Sequence, residues 1–100
     1  MKTLEAHPSF QMKAEELLKG ITGIYIKVNP IPKNGNIIKI PLEPAVLVEN
    51  EWVHSYVDEI KVIFPIGEKP YLMVFDDENY PHFFNFEGNT EDLQSLIHNQ

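Results

Sequence analysis

The spacing of the apolar residues changes once along the chain, and this change limits the folds available to it. Before Gly20 the apolar residues recur every three or four positions, as on one face of an α-helix: Phe10, Ala14, Leu17, Leu18 and Ile21. After Gly20 the apolar runs are short and are separated by proline, glycine and asparagine, which is typical of strands and turns. The pattern predicts an α+β domain that begins with a helix.

Two amphipathic helices are predicted, one near each end of the chain. In the first, Pro8 suits a first-turn position, Ser9 is a candidate N-cap, and Gly20 is expected to end the helix in a left-handed conformation. The second is expected to be capped by Asn89 or Thr90. Its predicted apolar stripe consists of Leu93, Leu96 and Ile97.

About six or seven short strands are predicted between the helices. They cover residues 24–28, 37–40, 45–48, 52–57, 60–64, 71–75 and 82–86. Residues 71–75 are apolar on both faces, which favours a central strand of a three-stranded meander. Residues 52–57 fit a helical face about as well as a strand. We interpret them as a strand, with a helix as the alternative.

The 100 residues are enough for one domain, predicted to span residues 1–100. We expect a strongly bent antiparallel sheet or open barrel, with the C-terminal helix as its cap. Seven strands followed by a helix, over residues 21–98, resemble the pleckstrin-homology-like arrangement in element order. The N-terminal helix and the proline-rich loop at residues 29–36 depart from that arrangement.

Composition argues against several classes of function. The chain has no cysteine, which excludes disulfides, thiolate metal sites and a cysteine nucleophile. All eight of its cations are lysines, and the lack of arginine argues against specific nucleic-acid binding and phosphoryl transfer. The histidines and serines lack the spacing of known metal or nucleophile motifs, so we expect no enzyme, no metal and no cofactor.

The chain also lacks the sequence signals of membrane insertion and export. Its apolar runs are too short for a membrane-spanning helix, and its first ten residues do not read as a signal peptide. These features predict a cytoplasmic protein.

Charge is distributed unevenly along the chain. Residues 1–40 carry six lysines and three acids, whereas residues 41–100 carry two lysines and twelve acids. An acidic second half with interspersed aromatic residues predicts a surface that docks a basic partner protein, as in an inhibitor, an immunity-type protein or an adaptor. The candidate residues are Glu49, Glu51, Trp52, Tyr56, Asp58, Glu59, Asp76, Asp77, Glu78 and Tyr80. The competing interpretation is that the acids keep the domain soluble and the aromatic residues fill its core.

An alternative function follows from the fold resemblance. Lys27, Lys33 and Lys39 surround the loop between the first two predicted strands. In the pleckstrin-homology-like arrangement that loop commonly binds anionic lipid headgroups or phosphate groups. A formal net charge of -7 opposes binding to an anionic membrane, and the lysines also serve simply to protect strand edges. The oligomeric state stays open.

Overall fold

The computed structural model describes residues 1–26 and 35–98, and it confirms the α+β class. Two helices and six strands follow one another in this part of the chain. They are β1 (Lys2–Thr3), α1 (Pro8–Lys19), β2 (Ile21–Ile24), β3 (Gly35–Glu49), β4 (His54–Pro65), β5 (Tyr71–Phe75), β6 (Pro81–Phe86) and α2 (Glu91–His98). The strands form one open sheet in the order β1-β3-β4-β5-β6-β2. All neighbours are antiparallel except β1 and β3, so the sheet is mixed.

Helix α1 has the expected position but different end residues. His7, not Ser9, is the N-cap, and its Nδ1 accepts the amide of Ser9 at 3.1 Å. Gly20 follows the helix with a φ of -89°, so it does not adopt the expected left-handed conformation. A side chain at Gly20 would collide with the carbonyl group of Glu87, which explains glycine there. Ile21, placed on the helix face by its spacing, is a buried residue of β2.

The predicted strands at residues 37–40 and 45–48 are parts of the single strand β3, and β4 joins residues 54–57 to 60–64. Pro41 is paired with Glu59 and Val46 with Val57, so four residues of β3 lie opposite Asp58. At this bulge the alternation of buried and exposed side chains along β4 is reversed. Ser55 and Val57 are buried before the bulge, and Ile60 and Val62 after it.

The bulge explains why the spacing of apolar residues around residues 52–57 also fits a helix. Val53, Val57 and Ile60 are all buried, and their spacings of four and three are those of a helical face. The strand interpretation is confirmed for residues 54–57, whereas Trp52 and Val53 precede β4.

Continuity of β3 and β4 also lowers the strand count. Between residues 21 and 98, the described part of the chain contains five strands where the pleckstrin-homology-like arrangement implies seven. The expected meander is confirmed, with β5 between β4 and β6.

Apolar side chains form a cluster on each face of the sheet. The larger one includes α1, α2 and the inward residues of β3 to β6, such as Leu17, Ile40, Val62, Leu72 and Leu93. The smaller one, on the other face, contains Ile63, Tyr71 and Met73. Tyr71 is 1% exposed and stacks on Tyr25 at 3.8 Å between ring centroids; its burial, together with Tyr25, raises the pKa of Tyr71 to about 12.

Candidate acidic groove

A groove opens where β4 separates from β5. Strand β5 has five residues and pairs with residues 60–63 of β4, whereas β3 is the only described strand that pairs with the first half of β4. The turn between β5 and β6 therefore lies across a gap from the beginning of β4. The gap, of about 240 Å³, is here named the acidic groove, and it is lined by Trp52, Val53, His54, Ser55, Val74, Phe75, Asp76, Asp77, Glu78, His82 and Phe84.

Asp76 organises the turn that forms one wall of the acidic groove. Its Oδ1 accepts the amides of Glu78 and Tyr80, both at 2.9 Å, and its Oδ2 lies 2.8 Å from Nε2 of His82. The hydrogen bond with His82, followed by that from the Tyr80 amide, holds the pKa of Asp76 below its usual value. Asn79 completes the turn with a φ of 67°, a conformation that asparagine tolerates.

The opposite wall is positioned by the turn between β3 and β4. The side-chain Oδ1 of Asn50 accepts the amides of Trp52 at 2.8 Å and Val53 at 2.9 Å. The indole of Trp52 is half-buried against the larger apolar cluster and also lines the groove. Val74 and Phe84, both buried, supply further apolar surface.

The groove therefore combines an apolar lining with three carboxylates. Its described lining residues include two histidines and no lysine. Within residues 1–26 and 35–98, no three histidine or carboxylate side chains are placed to hold a metal ion. The arrangement suits contact with an apolar and cationic group.

Four of the predicted site residues meet in the acidic groove: Trp52, Asp76, Asp77 and Glu78. Glu49, Tyr56 and Asp58 are exposed residues of the β3–β4 hairpin instead. Tyr56, 63% exposed, is paired with Leu47, 49% exposed, so the two form an apolar pair on the surface. Glu51 is exposed in the turn before Trp52, and Tyr80 is exposed at the end of the β5–β6 turn.

Glu59 is engaged with lysines in ion pairs. Its carboxylate lies 3.5 Å from Nζ of Lys39 and 3.9 Å from Nζ of Lys61, which also lies 5.2 Å from the centre of the Phe75 ring. Lys39 belonged to the predicted anion-binding set and Glu59 to the predicted partner-binding set, and here they pair with each other. Lys27 and Lys33 lie outside the described residues.

Sequence reasoning did not select His54, His82 or Leu47 as site residues. Of these three, only His82 could have been linked to the site from the sequence, because it closely follows Asp76, Asp77 and Glu78 and lies on a predicted strand. His54 and Leu47 depend on the register between β3 and β4, which local sequence does not reveal.

Ion pairs join the basic and acidic halves of the chain in space. Lys13 of α1 lies 3.5 Å from the carboxylate of Asp92 in α2, and Lys39 contacts Glu59. The charge asymmetry along the sequence is therefore partly cancelled by folding. It persists at the acidic groove, whose lining residues all belong to residues 52–84.

Comparisons with protein-family models, curated proteins and solved structures gave no match, so the geometry of the residues carries the functional argument. Neither helix in the described ranges has the length and apolar character needed to cross a membrane.

Proposed function

We propose that the protein is a non-catalytic binding domain that docks a basic segment of a partner protein in the acidic groove. This places it among inhibitors, immunity-type proteins or adaptors, and we expect it to act in the cytoplasm. The observation that carries the proposal is the position of Trp52 beside Asp76, Asp77 and Glu78 in one groove.

The groove suits such a segment for two physical reasons. The exposed carboxylates of Asp77 and Glu78 attract a cation from a distance and increase the association rate. The half-buried indole of Trp52 and the apolar lining offer area that loses its contact with water on docking.

Fluorescence offers a direct test, because Trp52 is the only tryptophan. We expect its emission to change saturably when the protein is titrated with the alternating lysine–valine heptapeptide KVKVKVK at low ionic strength. The double variant Asp77→Asn/Glu78→Gln should weaken binding about tenfold, equivalent to about 1.4 kcal/mol. The affinity of the wild-type protein should also fall as salt is added.

A matched control separates the groove from overall charge. Glu5→Gln/Glu87→Gln removes the same two charges at exposed residues that do not line the groove. The control should bind like the wild type. Equal weakening of both double variants, or no response of Trp52 to the peptide, would contradict the proposal.

A further inference from the structure

The first half of β4 has hydrogen-bonding groups on its groove side that no strand within residues 1–26 and 35–98 uses. The amide of Asn50 donates to the carbonyl oxygen of Val53 at 2.9 Å, which makes these two residues a hydrogen-bonded pair. In an antiparallel ladder such pairs alternate with non-hydrogen-bonded ones. Because Glu49 is paired with His54 and Leu47 with Tyr56, the backbone N–H and C=O groups of His54 and Tyr56 point away from β3.

On that side β5 is the neighbouring strand, but it reaches only residues 60–63. Across the described parts of the chain, no backbone hydrogen bond from another segment reaches His54 or Tyr56 on this edge. His54 and Ser55 also line the acidic groove. A strand edge to which no described segment is paired and the carboxylates of the β5–β6 turn therefore border the same groove.

We infer that the partner's basic segment enters the acidic groove as an extended strand and pairs its main chain with β4 at His54 and Tyr56. The inference rests on the proposed function and specifies the conformation of the docked segment. Strand addition of this kind supplies affinity through main-chain hydrogen bonds and selectivity through alternate side chains.

The side chains of the groove favour a segment with an alternating pattern. Successive side chains of a strand point to opposite faces, so basic and apolar residues in alternation separate onto two faces. The apolar face would meet Trp52 and Phe84, and the basic face would meet the carboxylates of Asp77 and Glu78. A helical segment would satisfy the charges but leave the β4 edge without partners.

Backbone methylation of the peptide tests the inference on the wild-type protein. In an extended KVKVKVK peptide, all valine amides face one edge and all lysine amides face the other. We expect N-methylation of one set to weaken the Trp52 response at least about tenfold, because it removes the donors that face β4. N-methylation of the other set should leave the affinity within about twofold of the unmodified peptide.

A protein variant tests the same hydrogen bonds from the other side. His54→Pro removes an amide that points into the groove without removing a bond to β3, whereas His54→Ala removes only the imidazole. We expect His54→Pro to weaken binding of KVKVKVK about tenfold, and His54→Ala, which keeps the amide, to weaken it distinctly less. Leu47→Pro is the matched control, because its amide faces the opposite edge of the same hairpin. Thermal unfolding of each variant verifies that it is folded.

The outcomes separate the inference from the function on which it rests. Equal binding of both methylated peptides, or equal binding of a helical lysine–alanine peptide of the same charge, would overturn strand addition and leave basic-segment docking intact. A Trp52 emission unaffected by every peptide would overturn both.

Discussion

A single carboxylate, that of Asp76, shapes the wall of the acidic groove that carries the charge. It accepts hydrogen bonds from two amides of its own turn and pairs with the imidazole of His82, the second residue of β6. Asp76 thereby satisfies two backbone amides of the turn that also carries Asp77 and Glu78. A carboxylate that appeared in sequence as one of several surface charges is therefore a structural residue as well as a rim residue.

Replacement of Asp76 should give a pH-dependent loss of stability. Its pKa is lowered on folding from an unperturbed 3.8, mainly by the hydrogen bond with His82, so its charged form stabilises the fold above that pH. This stabilisation should disappear as the pH falls through the lower pKa of the folded state. In urea unfolding between pH 5 and pH 3, we therefore expect Asp76→Asn to be less stable than the wild type at pH 5.

The difference between the two proteins should shrink toward pH 3. Asp77→Asn removes an adjacent, exposed carboxylate and should change stability little across this range. A difference between wild type and Asp76→Asn that grew on acidification would contradict this account.

Among the structural elements, the β3–β4 hairpin has the largest effect on the groove. At the bulge opposite Asp58, the buried positions of β4 change from odd-numbered to even-numbered residues. The half of β4 that precedes the bulge is not paired with β5. Asn50 holds the end of the hairpin through the amides of Trp52 and Val53, and its Nδ2 donates to the carbonyl oxygen of Leu18 at 3.3 Å. One side chain thus joins the turn to the last part of α1.

Removal of this side chain should destabilise the protein measurably. Asn50→Ala leaves the amides of Trp52 and Val53 without their acceptor in a partly buried turn, and we expect it to lower the free energy of unfolding by about 2 kcal/mol. Asn50→Asp keeps the acceptor but loses the donor to Leu18, so its cost should be smaller. Urea unfolding of the three proteins measures both costs, and an alanine variant as stable as the wild type would exclude this role.

At the scale of the whole molecule, both helices contribute to the apolar cluster on one face of the sheet. Leu17 and Leu18 of α1 and Leu93 of α2 are fully buried in it. This layer supports β4, β5 and β6 from one face, and residues of these strands line the groove.

The helix-to-sheet layer predicts a strong contrast between two residues of α1. Leu17 is 0% exposed and Met12 is 70% exposed. Leu17→Ala should lower the free energy of unfolding by about 3 kcal/mol, whereas Met12→Ala should change it by less than about 0.5 kcal/mol. Denaturant unfolding with tryptophan fluorescence would measure both, and similar effects of the two variants would argue against the packing described.

Elements with a strong local signal were predicted well, and those that depend on distant residues were not. The apolar spacing of α1, the doubly apolar run of β5 and the alternation of β6 are visible within a few residues. The joining of four predicted strands into β3 and β4 was missed, because Pro41, Pro44 and the change in alternation after Val57 resemble strand ends. Of the candidate site, the carboxylates and Trp52 were found by composition and charge, but His54 and the free edge of β4 were not.

Local patterns in the sequence were enough to predict the α+β class, both helices, the central strand and the excess of acids in the second half. These properties follow from local periodicity and from residue counts, which folding does not change. Three features are visible only in the folded chain: Lys39 is paired with Glu59, Trp52 shares a groove with Asp76, Asp77 and Glu78, and no described strand pairs with the edge of β4 there. These features depend on strand register. The bulge opposite Asp58 shifts the pairing of β3 with β4, and a register depends on the packing of neighbouring strands together.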